Sequence, residues 1–370
     1  MKALIGVLGG DGVGPEVVAE GVRVLRRVAR RFGHAFEFRS GLIGGAAIDA
    51  TGDPYPSETR ALVASADAVL LGAVGGPRWS DPSATVRPEQ GLLALRAAMQ
   101  VFANLRPVRT HASLFDAAPL RRELLVGVDV LFVRELTGGL YFGEKTLVQR
   151  AGGETATDLC TYTTEEIERV TRVAGVLART RRRHVTSVDK ANVLETSRLW
   201  RRTVTRVMRD EFPDVAVEHA LVDSFAMQLL RAPASFDVVV TENLFGDILT
   251  DEAAVLAGSI GLLPSASLGL PRDTGRTPGL YEPIHGSAPD IVGTGKANPV
   301  GTILSAAMLL RHSLGLAEES DAIEAAVEAA LREGWRTADL QGGTRPSVTT
   351  GEFGTEIERR LGDADAAPAR

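Results

Sequence analysis

Short runs of consecutive apolar residues alternate along the chain with segments in which apolar residues recur every three to four positions. The strand-length runs lie at 3–8, 68–71, 128–133, 184–188 and 236–241. The amphipathic helical segments lie at 15–32, 165–181 and 196–211. Buried strands alternating with amphipathic helices are typical of an α/β fold with a largely parallel sheet. The turn-rich segment 138–153 predicts a small β-arm, and residues 362–370 are expected to be a frayed tail.

The composition is that of an ordinary globular protein with more than one core. The 370 residues are 44% hydrophobic and 24% charged, and a chain of this length holds two substantial domains. A net charge of −6, from 41 basic and 47 acidic residues, argues against nucleic acid as the main partner. No apolar stretch is long enough to span a membrane. The single cysteine, Cys160, rules out an internal disulfide and favours a cytoplasmic location.

A pair of aspartates follows the apolar run at 236–241. Asp247 and Asp251 lie in Asn-Leu-Phe-Gly-Asp-Ile-Leu-Thr-Asp and are expected to open a helix where that strand ends. Their i, i+4 spacing places both carboxylates on one helix face, roughly 6 Å apart. Carboxylate oxygens without nearby His or Cys favour Mg²⁺ or Mn²⁺ over zinc. The alternative is that acidic residues simply favour the first turn of a helix, where its dipole stabilises them.

The glycine turn Gly10-Asp-Gly-Val-Gly14 resembles a dinucleotide fingerprint only superficially. Its spacing is G-x-G-x-G rather than G-x-G-x-x-G, and no acidic residue closes a second strand about 20 residues later. Pro15 is a helix-start signal that needs no ligand. The turn therefore predicts no Rossmann site.

A stripe of one helical segment combines charge with apolar surface. Glu89, Leu92, Leu93 and Arg96 recur at helical spacing, a pattern suited to a molecule with a carboxylate and an alkyl group. A core-facing leucine pair with solvated ends is the alternative. Arg134 ends the run at 128–133, where a guanidinium can bind a carboxylate through two hydrogen bonds. Pairing of Arg134 with its neighbour Glu135 is equally open.

Six motifs, in order from about residue 3 to residue 315, resemble those of the β-hydroxyacid oxidative decarboxylases, the isocitrate/isopropylmalate dehydrogenase family. They are Gly-Asp-Gly-Val-Gly-Pro-Glu, Phe-Ala-Asn-Leu-Arg-Pro, Val-Arg-Glu-Leu-Thr-Gly-Gly-Leu-Tyr-Phe-Gly, Val-Asp-Lys-Ala-Asn-Val-Leu, Asn-Leu-Phe-Gly-Asp-Ile-Leu and His-Gly-Ser-Ala-Pro-Asp-Ile. The resemblance implies two α/β domains that share a mixed sheet, with a β-arm at a dimer interface, and not a Rossmann fold. The implied cofactor-binding domain is 1–101 and 258–370, and the implied substrate, metal and dimerisation domain is 102–257.

The resemblance also implies a role for each charged residue. Arg96, Arg106 and Arg134 would bind the substrate carboxylates, and Asp223, Asp247 and Asp251 would hold the metal. Lys190 and Tyr141 would be the acid–base pair, since oxidation of an alcohol needs a base and an enolate needs a proton donor. The remaining implied substrate contacts are Glu89, Leu92, Leu93, Asn192 and Val193. Lys190, Asn192, Val193 and Asp223 would enter from the second subunit of a homodimer. Without the motif, Lys190 would be an ordinary strand-end lysine beside Asp189.

The implied cofactor is NAD⁺, bound near the loop 285–298. The implied contacts are Val13, Gly76, Glu89, Ile260, Gly261, His285, Gly286, Ser287, Ala288, Pro289, Asp290, Ile291 and Asn298. The Asp290 carboxylate would accept hydrogen bonds from a ribose 2′-hydroxyl and repel the 2′-phosphate of NADP⁺. Asp290 can at the same time be a helix N-cap after Pro289.

The implied activity is the NAD⁺-dependent oxidative decarboxylation of (2R,3S)-3-isopropylmalate in leucine biosynthesis. Leu92 and Leu93 would leave the third carboxylate of isocitrate without a partner, which costs several kcal/mol. Another 3-alkylmalate or tartrate is the alternative substrate. A catalytically inactive regulatory subunit would have lost the lysine, the tyrosine or the metal aspartates, all of which are present.

Overall fold

The chain folds into two compact units. The computed structural model describes residues 1–81, 84–272, 275–340, 342–343 and 345–362. The first unit consists of Met1–Val101, His111–Pro119 and Ala257–Arg370, and the second of Phe102–Thr110 and Leu120–Leu256. Residues 111–119 thus group with the first unit, whereas the expected domain bounds give them to the substrate domain. The binding roles of the two domains stay predictions.

Strands and helices alternate through both units, which confirms the α/β class. The strands are β1 (Lys2–Gly10), β2 (Ala35–Gly41), β3 (Ala68–Ala73), β4 (Ala103–Arg109), β5 (Asp129–Glu135), β6 (Lys145–Arg150), β7 (Gly153–Asp158), β8 (His184–Asp189), β9 (Ala216–Leu221), β10 (Val238–Thr241), β11 (Pro264–Leu268) and β12 (Gly279–Pro283). The helices are α1 (Gly14–Phe32), α2 (Gly44–Thr51), α3 (Ser57–Ser65), α4 (Pro88–Met99), α5 (Arg122–Leu125), α6 (Thr164–Arg179), α7 (Glu195–Glu211), α8 (Val222–Arg231), α9 (Asn243–Ala257), α10 (Val300–His312), α11 (Ala317–Arg332) and α12 (Thr350–Arg360). Every predicted strand and helix is present, with ends shifted by at most two residues.

The first unit arranges its strands in the order β2-β1-β3-β12-β11. Strand β1 is parallel to both β2 and β3, and β12 is parallel to β3 but antiparallel to β11. Helix α1 buries its apolar stripe, with Val17, Leu25 and Val28 fully buried, while Arg26 and Arg30 on its other face are exposed. That division is the amphipathic pattern expected of a helix packed on one side.

The second unit has the strand order β4-β5-β10-β8-β9. Strand β4 is antiparallel to β5, and the remaining pairs are parallel. Parallel strands end at the same edge, so Arg134 of β5 lies beside Thr241 of β10, which in turn lies beside Val188 of β8. Ligand-binding residues of α/β sheets collect outside the carboxyl ends of such strands.

The predicted β-arm is confirmed as the hairpin of β6 and β7. These antiparallel strands pair from Lys145 opposite Asp158 to Arg150 opposite Gly153, and every residue in them is exposed. The hairpin spans 145–158 and overlaps the predicted segment 138–153. The first residues of that segment form a turn at Gly139–Tyr141 instead of a strand. A lone two-stranded hairpin is marginally stable at best.

None of the helices in the described residues is both long enough and apolar enough to cross a membrane. Of the expected tail, only Gly362 belongs to the described residues.

Candidate active site

The carboxyl edge of the second unit brings two of the three predicted metal ligands next to two of the predicted arginines. Helix α9 begins at Asn243, two residues after β10 ends, so Asp247 lies in its second turn. Its first turn holds no acidic residue. The expectation that the aspartates open the helix is therefore wrong, and so is its explanation by the helix dipole, which acts within the first turn.

Asp247 is the centre of the cluster. Its Oδ1 accepts a short hydrogen bond from Arg134 Nη1 and lies 3.4 Å from Arg106 Nη2. Its Oδ2 accepts a hydrogen bond of 2.7 Å from the Tyr141 hydroxyl. Arg134 thus does not pair with Glu135, which accepts hydrogen bonds from Thr137 and Gly138 instead.

Asp251 lies one turn further along α9 and is the more exposed carboxylate. Its Oδ1 is 3.8 Å from Arg106 Nη1. Partial burial raises the pKa of Asp251, Arg106 opposes that shift, and the neighbouring Asp247 adds to it. Two carboxylates whose charges disfavour each other, with oxygen donors only, fit a hard divalent cation. Among the described residues, no group of three His, Cys, Asp or Glu side chains lies close enough to hold a metal ion.

Tyr141 is held over the guanidinium of Arg134, whose Cζ lies 5.6 Å from the ring centroid. Burial, followed by the hydrogen bond to Asp247, raises the pKa of Tyr141 to about 12. The hydroxyl is therefore protonated at neutral pH and is able to donate a proton.

Lys190 and Asp223 form a separate pair in the second unit. Lys190 follows β8, Asp223 lies in the first turn of α8, and Lys190 Nζ donates a hydrogen bond of 2.6 Å to Asp223 Oδ1. That bond lowers the pKa of Asp223. Asp189 instead pairs with Arg201. Asn192 and Val193, next to Lys190 in the chain, are exposed.

Helix α4 of the first unit carries the predicted substrate stripe. Glu89 is exposed, Leu92 and Leu93 are half-buried, and Arg96 is buried. Arg96 Nη2 donates a hydrogen bond of 2.8 Å to Glu282 Oε1. Its buried Nε has no hydrogen-bond partner among the described residues, a donor that an anionic ligand would satisfy. The half-buried leucines do not form the core-facing pair of the alternative interpretation.

The predicted cofactor residues of the first unit come together around the glycine turn. Val13 N donates a hydrogen bond of 2.9 Å to Ser287 O, and Ala288 and Ile291 pack against Val13. A Cβ at Gly12 would lie 2.0 Å from Ser287 O. The turn and the loop therefore meet at Gly12 without room for a side chain. The glycine turn thus lies against the predicted cofactor loop even though its spacing is not that of a Rossmann fingerprint.

The same loop contains one buried polar atom that a ligand would satisfy. Burial lowers the pKa of His285, whose buried Nε2 has no hydrogen-bond partner among the described residues. A Cβ at Gly261 would lie 2.6 Å from Asn298 Cβ, so these two predicted contacts are adjacent. A buried, unpaired ring nitrogen whose chain neighbour Gly286 has open space in place of a side chain fits a polar ligand. Ile260 starts the short turn Ile260–Leu262 that precedes β11.

Two further predicted cofactor contacts of the first unit, Gly76 and Glu89, belong to segments that contact each other. A Cβ at neighbouring Gly75 would lie 2.7 Å from Glu89 Oε1.

Asp290 lies within the exposed turn Pro289–Ile291, whose N-cap is Ala288 with a φ of 40°. The interpretation of Asp290 as an N-cap is therefore wrong, and its carboxylate faces solvent.

The whole chain matches known proteins. The sequence profile described as isocitrate/isopropylmalate dehydrogenase matches residues 4–357. A 3-isopropylmalate dehydrogenase of Anaeromyxobacter dehalogenans is 59% identical, over 98% of this chain and 100% of that protein. One from Rhodopirellula baltica is 56% identical, over 98% of this chain and 99% of that protein. The chain belongs to the isocitrate/isopropylmalate dehydrogenase family.

Solved structures agree with membership of the isocitrate/isopropylmalate dehydrogenase family. The crystal structure of isocitrate dehydrogenase from Methylococcus capsulatus has a TM-score of 0.83 at 32% identity, covering 97% of this chain and 99% of that one. A β-decarboxylating dehydrogenase from Thermococcus kodakarensis has a TM-score of 0.76 at 37% identity, covering 97% and 96%. The fold and the family resemblance expected from the motifs are both confirmed.

The sequence did not predict four residues whose side chains contact predicted site residues. They are Asn104, Asn243, Glu282 and Asp339. Asn104, Asn243 and Glu282 stand inside or beside motifs that the sequence analysis quoted, whereas Asp339 lies 41 positions from Asn298, its hydrogen-bond partner at 3.0 Å. Asp339 has no local signal in the sequence.

Proposed function

We propose that the chain catalyses the NAD⁺-dependent oxidative decarboxylation of (2R,3S)-3-isopropylmalate to 4-methyl-2-oxopentanoate, CO₂ and NADH, a step of leucine biosynthesis. The observation that carries the proposal is the Asp247 cluster, which joins two arginines, a tyrosine and two carboxylates. Relatives named 3-isopropylmalate dehydrogenase, aligned over nearly their full length, support the same substrate. A cytoplasmic location is proposed from the single cysteine.

The substrate's two carboxylates are assigned to Arg96, Arg106 and Arg134. All three are buried, so a bound carboxylate would meet each guanidinium away from water, where charge-assisted hydrogen bonds are strongest. The branched alkyl group is assigned to Leu92 and Leu93, which are half-buried and offer no polar partner for a third carboxylate. Glu89, Asn192 and Val193 are assigned to the rim of the substrate site.

The metal, Mg²⁺ or Mn²⁺, is assigned to Asp247 and Asp251, with Asp223 of the partner subunit as the third carboxylate. When bound, such an ion supplies a Lewis acid that withdraws electrons from the substrate's oxygens. Tyr141, kept protonated by its pKa of about 12, donates the proton that the product carbanion needs. Lys190 is assigned as the base that takes the proton of the substrate hydroxyl, for which its ammonium group must first release a proton to solvent. In the chain by itself, Lys190 Nζ donates a hydrogen bond to Asp223, which positions it.

The cofactor is assigned to the first unit, where Val13, His285 and Asn298 belong to the loops that meet at the glycine turn. His285 offers a buried ring nitrogen without a partner among the described residues, and Gly286, whose Cβ would have no heavy atom within 4 Å, leaves room for close approach of a flat ring. The exposed carboxylate of Asp290 favours the free ribose hydroxyls of NAD⁺ over a 2′-phosphate.

The active form is proposed to be a homodimer with shared sites. Large apolar side chains are exposed on α8 and α9 of the second unit: Met227 is 60% exposed and Ile248 is 59% exposed. The fully exposed β-arm also needs a covering surface. A second copy of the chain that covers these surfaces would bring its Lys190 and Asp223 to the Asp247 cluster.

Subunit complementation tests the shared site. Lys190→Ala and Asp247→Asn homodimers should each be inactive, because each lacks one essential group in both sites. Random mixing of the two variants should restore roughly a quarter of wild-type activity per subunit, since one site of each mixed dimer is intact. Wild-type chains carried through the same mixing are the control. No recovery in mixed dimers, isolated through different affinity tags on the two variants, would place all catalytic groups within one chain.

The substrate is tested by measuring NADH formation with 3-isopropylmalate, isocitrate and tartrate side by side. The expected kcat/KM is highest for 3-isopropylmalate, by at least about 10³-fold over isocitrate, because isocitrate would bury an unpaired carboxylate. Another 3-alkylmalate differing by one methylene should fall only about 10–200-fold below it. Faster oxidation of isocitrate or tartrate would contradict the proposal.

A further inference from the structure

Two asparagine side chains bind the arginines of the Asp247 cluster in the same way. Arg106 Nε donates a hydrogen bond of 2.8 Å to Asn104 Oδ1. Arg134 Nε and Nη2 donate hydrogen bonds of 3.0 and 2.8 Å to Asn243 Oδ1. Asn104 and Arg134 are also opposite each other on the paired strands β4 and β5. Each guanidinium is therefore fixed along its Nε side by an amide oxygen.

The amide of Asn243 is itself fixed. Its Nδ2 donates a hydrogen bond of 3.1 Å to Gly138 O, and its backbone N–H donates to the Tyr162 hydroxyl at 2.9 Å. Asn243 is 1% exposed and Asn104 is fully buried. A Cβ at Gly246 would lie 2.7 Å from Arg134 Cγ, so the stem of that arginine is confined as well.

Three other arginines of the second unit are held by carboxylates instead. The Nε groups of Arg172, Arg181 and Arg201 donate to carboxylates, those of Glu211, Asp237 and Asp189, at 2.8, 2.8 and 2.9 Å. A carboxylate orients a guanidinium but also cancels its charge, whereas an amide orients it without adding charge. The carboxylates that Arg106 and Arg134 do meet, Asp247 and Asp251, are the proposed metal ligands.

We propose that Asn104 and Asn243 are positioning residues that orient Arg106 and Arg134 while leaving their positive charge available to a doubly charged substrate. The inference rests on the proposed role of these arginines in binding substrate carboxylates. Because the pairs are buried, a carboxylate in place of either amide would act at low effective dielectric and would compete directly with the substrate's charge.

The test compares charge with shape at each position. Asn243→Asp and Asn104→Asp keep the side-chain shape and add a charge. Asn243→Ala and Asn104→Ala remove the amide oxygen that binds the guanidinium. The aspartate variants are expected to raise KM for 3-isopropylmalate by at least about tenfold, more than the alanine variants do, with KM for NAD⁺ unchanged. The alanine variants should lower the melting temperature more than the aspartate variants, because they leave a buried guanidinium N–H unpaired.

A purely structural role predicts the opposite order, with alanine raising KM for 3-isopropylmalate at least as much as aspartate does. That result at both positions would overturn the inference. Asp237→Asn, which makes the reverse change beside Arg181, is the matched control and should change stability without changing KM for 3-isopropylmalate.

Calorimetric titration of D-malate into the Mg²⁺-loaded enzyme separates this inference from the proposed reaction. Weaker D-malate binding by both aspartate variants than by both alanine variants supports the proposed role of the two asparagines, whether or not 3-isopropylmalate is the substrate. Equal or tighter binding by the aspartate variants overturns that role. Absence of turnover by wild-type enzyme would instead count against the proposed reaction alone.

Discussion

The two units form their proposed binding surfaces from different kinds of contact. In the second unit, Asp247 gathers the guanidinium groups of Arg106 and Arg134 and the hydroxyl of Tyr141 within hydrogen-bond reach. In the first unit, the glycine turn and the loop after β12 meet through the backbone, with Gly12 against Ser287. One surface is specified by the placement of charges, and the other by the absence of side chains.

This difference decides what a substitution does. Removing a charged group from the second unit takes away chemistry but leaves the backbone in place. Adding a single carbon at a glycine of the first unit moves the backbone, because the contact at Gly12 is with a main-chain oxygen that has no rotamer to change. Changes in the second unit should therefore act on kcat or on KM for 3-isopropylmalate, and changes in the first unit on stability and on KM for NAD⁺.

The largest effect is expected for Lys190→Ala. Loss of a general base lowers kcat by about 10²–10⁴-fold. The half-exposed lysine holds no buried element together, so the melting temperature should stay the same. NADH formation at saturating 3-isopropylmalate measures the change, with Lys2→Ala as the control for loss of an exposed lysine. Turnover near the wild-type rate would show that the assigned base is wrong.

Gly12→Ala should break the first unit's surface. The residue has a φ of +58°, and its Cβ would lie 2.0 Å from Ser287 O, so the turn and the loop have to separate. A loss of about 1–3 kcal/mol of stability is expected, together with a rise in KM for NAD⁺ of about tenfold or more. KM for 3-isopropylmalate should change little.

Gly351→Ala is the matched control for Gly12→Ala. Gly351 lies in α12 of the same unit, and the nearest heavy atom to its Cβ would be 4.0 Å away. Alanine favours helix over glycine, so this variant should be at least as stable as the wild type. Unchanged NAD⁺ kinetics in Gly12→Ala would mean that the glycine turn does not shape the cofactor site.

The same contrast explains which parts of the structure were predictable. The alternation of apolar runs and helical segments predicts the strands and helices because burial on one face sets their periodicity. The spacing of Asp247 and Asp251 predicts their shared helix face for the same reason. Helix α9 begins just after the apolar run, as predicted, but the placement of the aspartates in its second turn was not predictable, since the cap of its first turn includes the Tyr162 hydroxyl, 81 positions away.

Contacts between distant residues leave no local signal. Arg96 and Glu282 are 186 positions apart, and Asn243 and Arg134 are 109 apart. The glycine spacing of residues 10–14 argues against a Rossmann site, yet the turn still meets the predicted cofactor loop, because Gly12 is needed for its contact with Ser287 rather than for a pyrophosphate fingerprint. Spacing identifies residues on one element, whereas the partners from other elements require the fold.

Asp290→Ser tests whether a single charge also matters for binding in the first unit. The exposed carboxylate is expected to repel the 2′-phosphate of NADP⁺, so its removal should lower the preference for NAD⁺ over NADP⁺ by about 10–100-fold in kcat/KM. Glu328→Gln removes an exposed acid of the same unit and controls for net charge. An unchanged cofactor preference in Asp290→Ser would remove the carboxylate from cofactor selection.

The smallest effect is expected from a half-buried histidine of the first unit and concerns stability alone. Burial and then the neighbouring Arg311 lower the pKa of His312, in the last turn of α10, to about 4. The unfolded chain therefore binds this proton below about pH 6.5, whereas the folded chain stays neutral there until about pH 4. The folded state loses stability as pH falls through that window, because protons bind preferentially to the unfolded chain.

His312→Gln should remove that part of the pH dependence. The loss of unfolding free energy between pH 7 and pH 4.5, measured by urea denaturation, should be smaller in the variant by about 1–2 kcal/mol. Arg311→Gln should reduce the loss partly, since it removes only the neighbouring charge. An undiminished loss in His312→Gln would assign the acid sensitivity to other groups. Because His312 is assigned no part in binding or catalysis, kcat of both variants at pH 7 should equal that of the wild type.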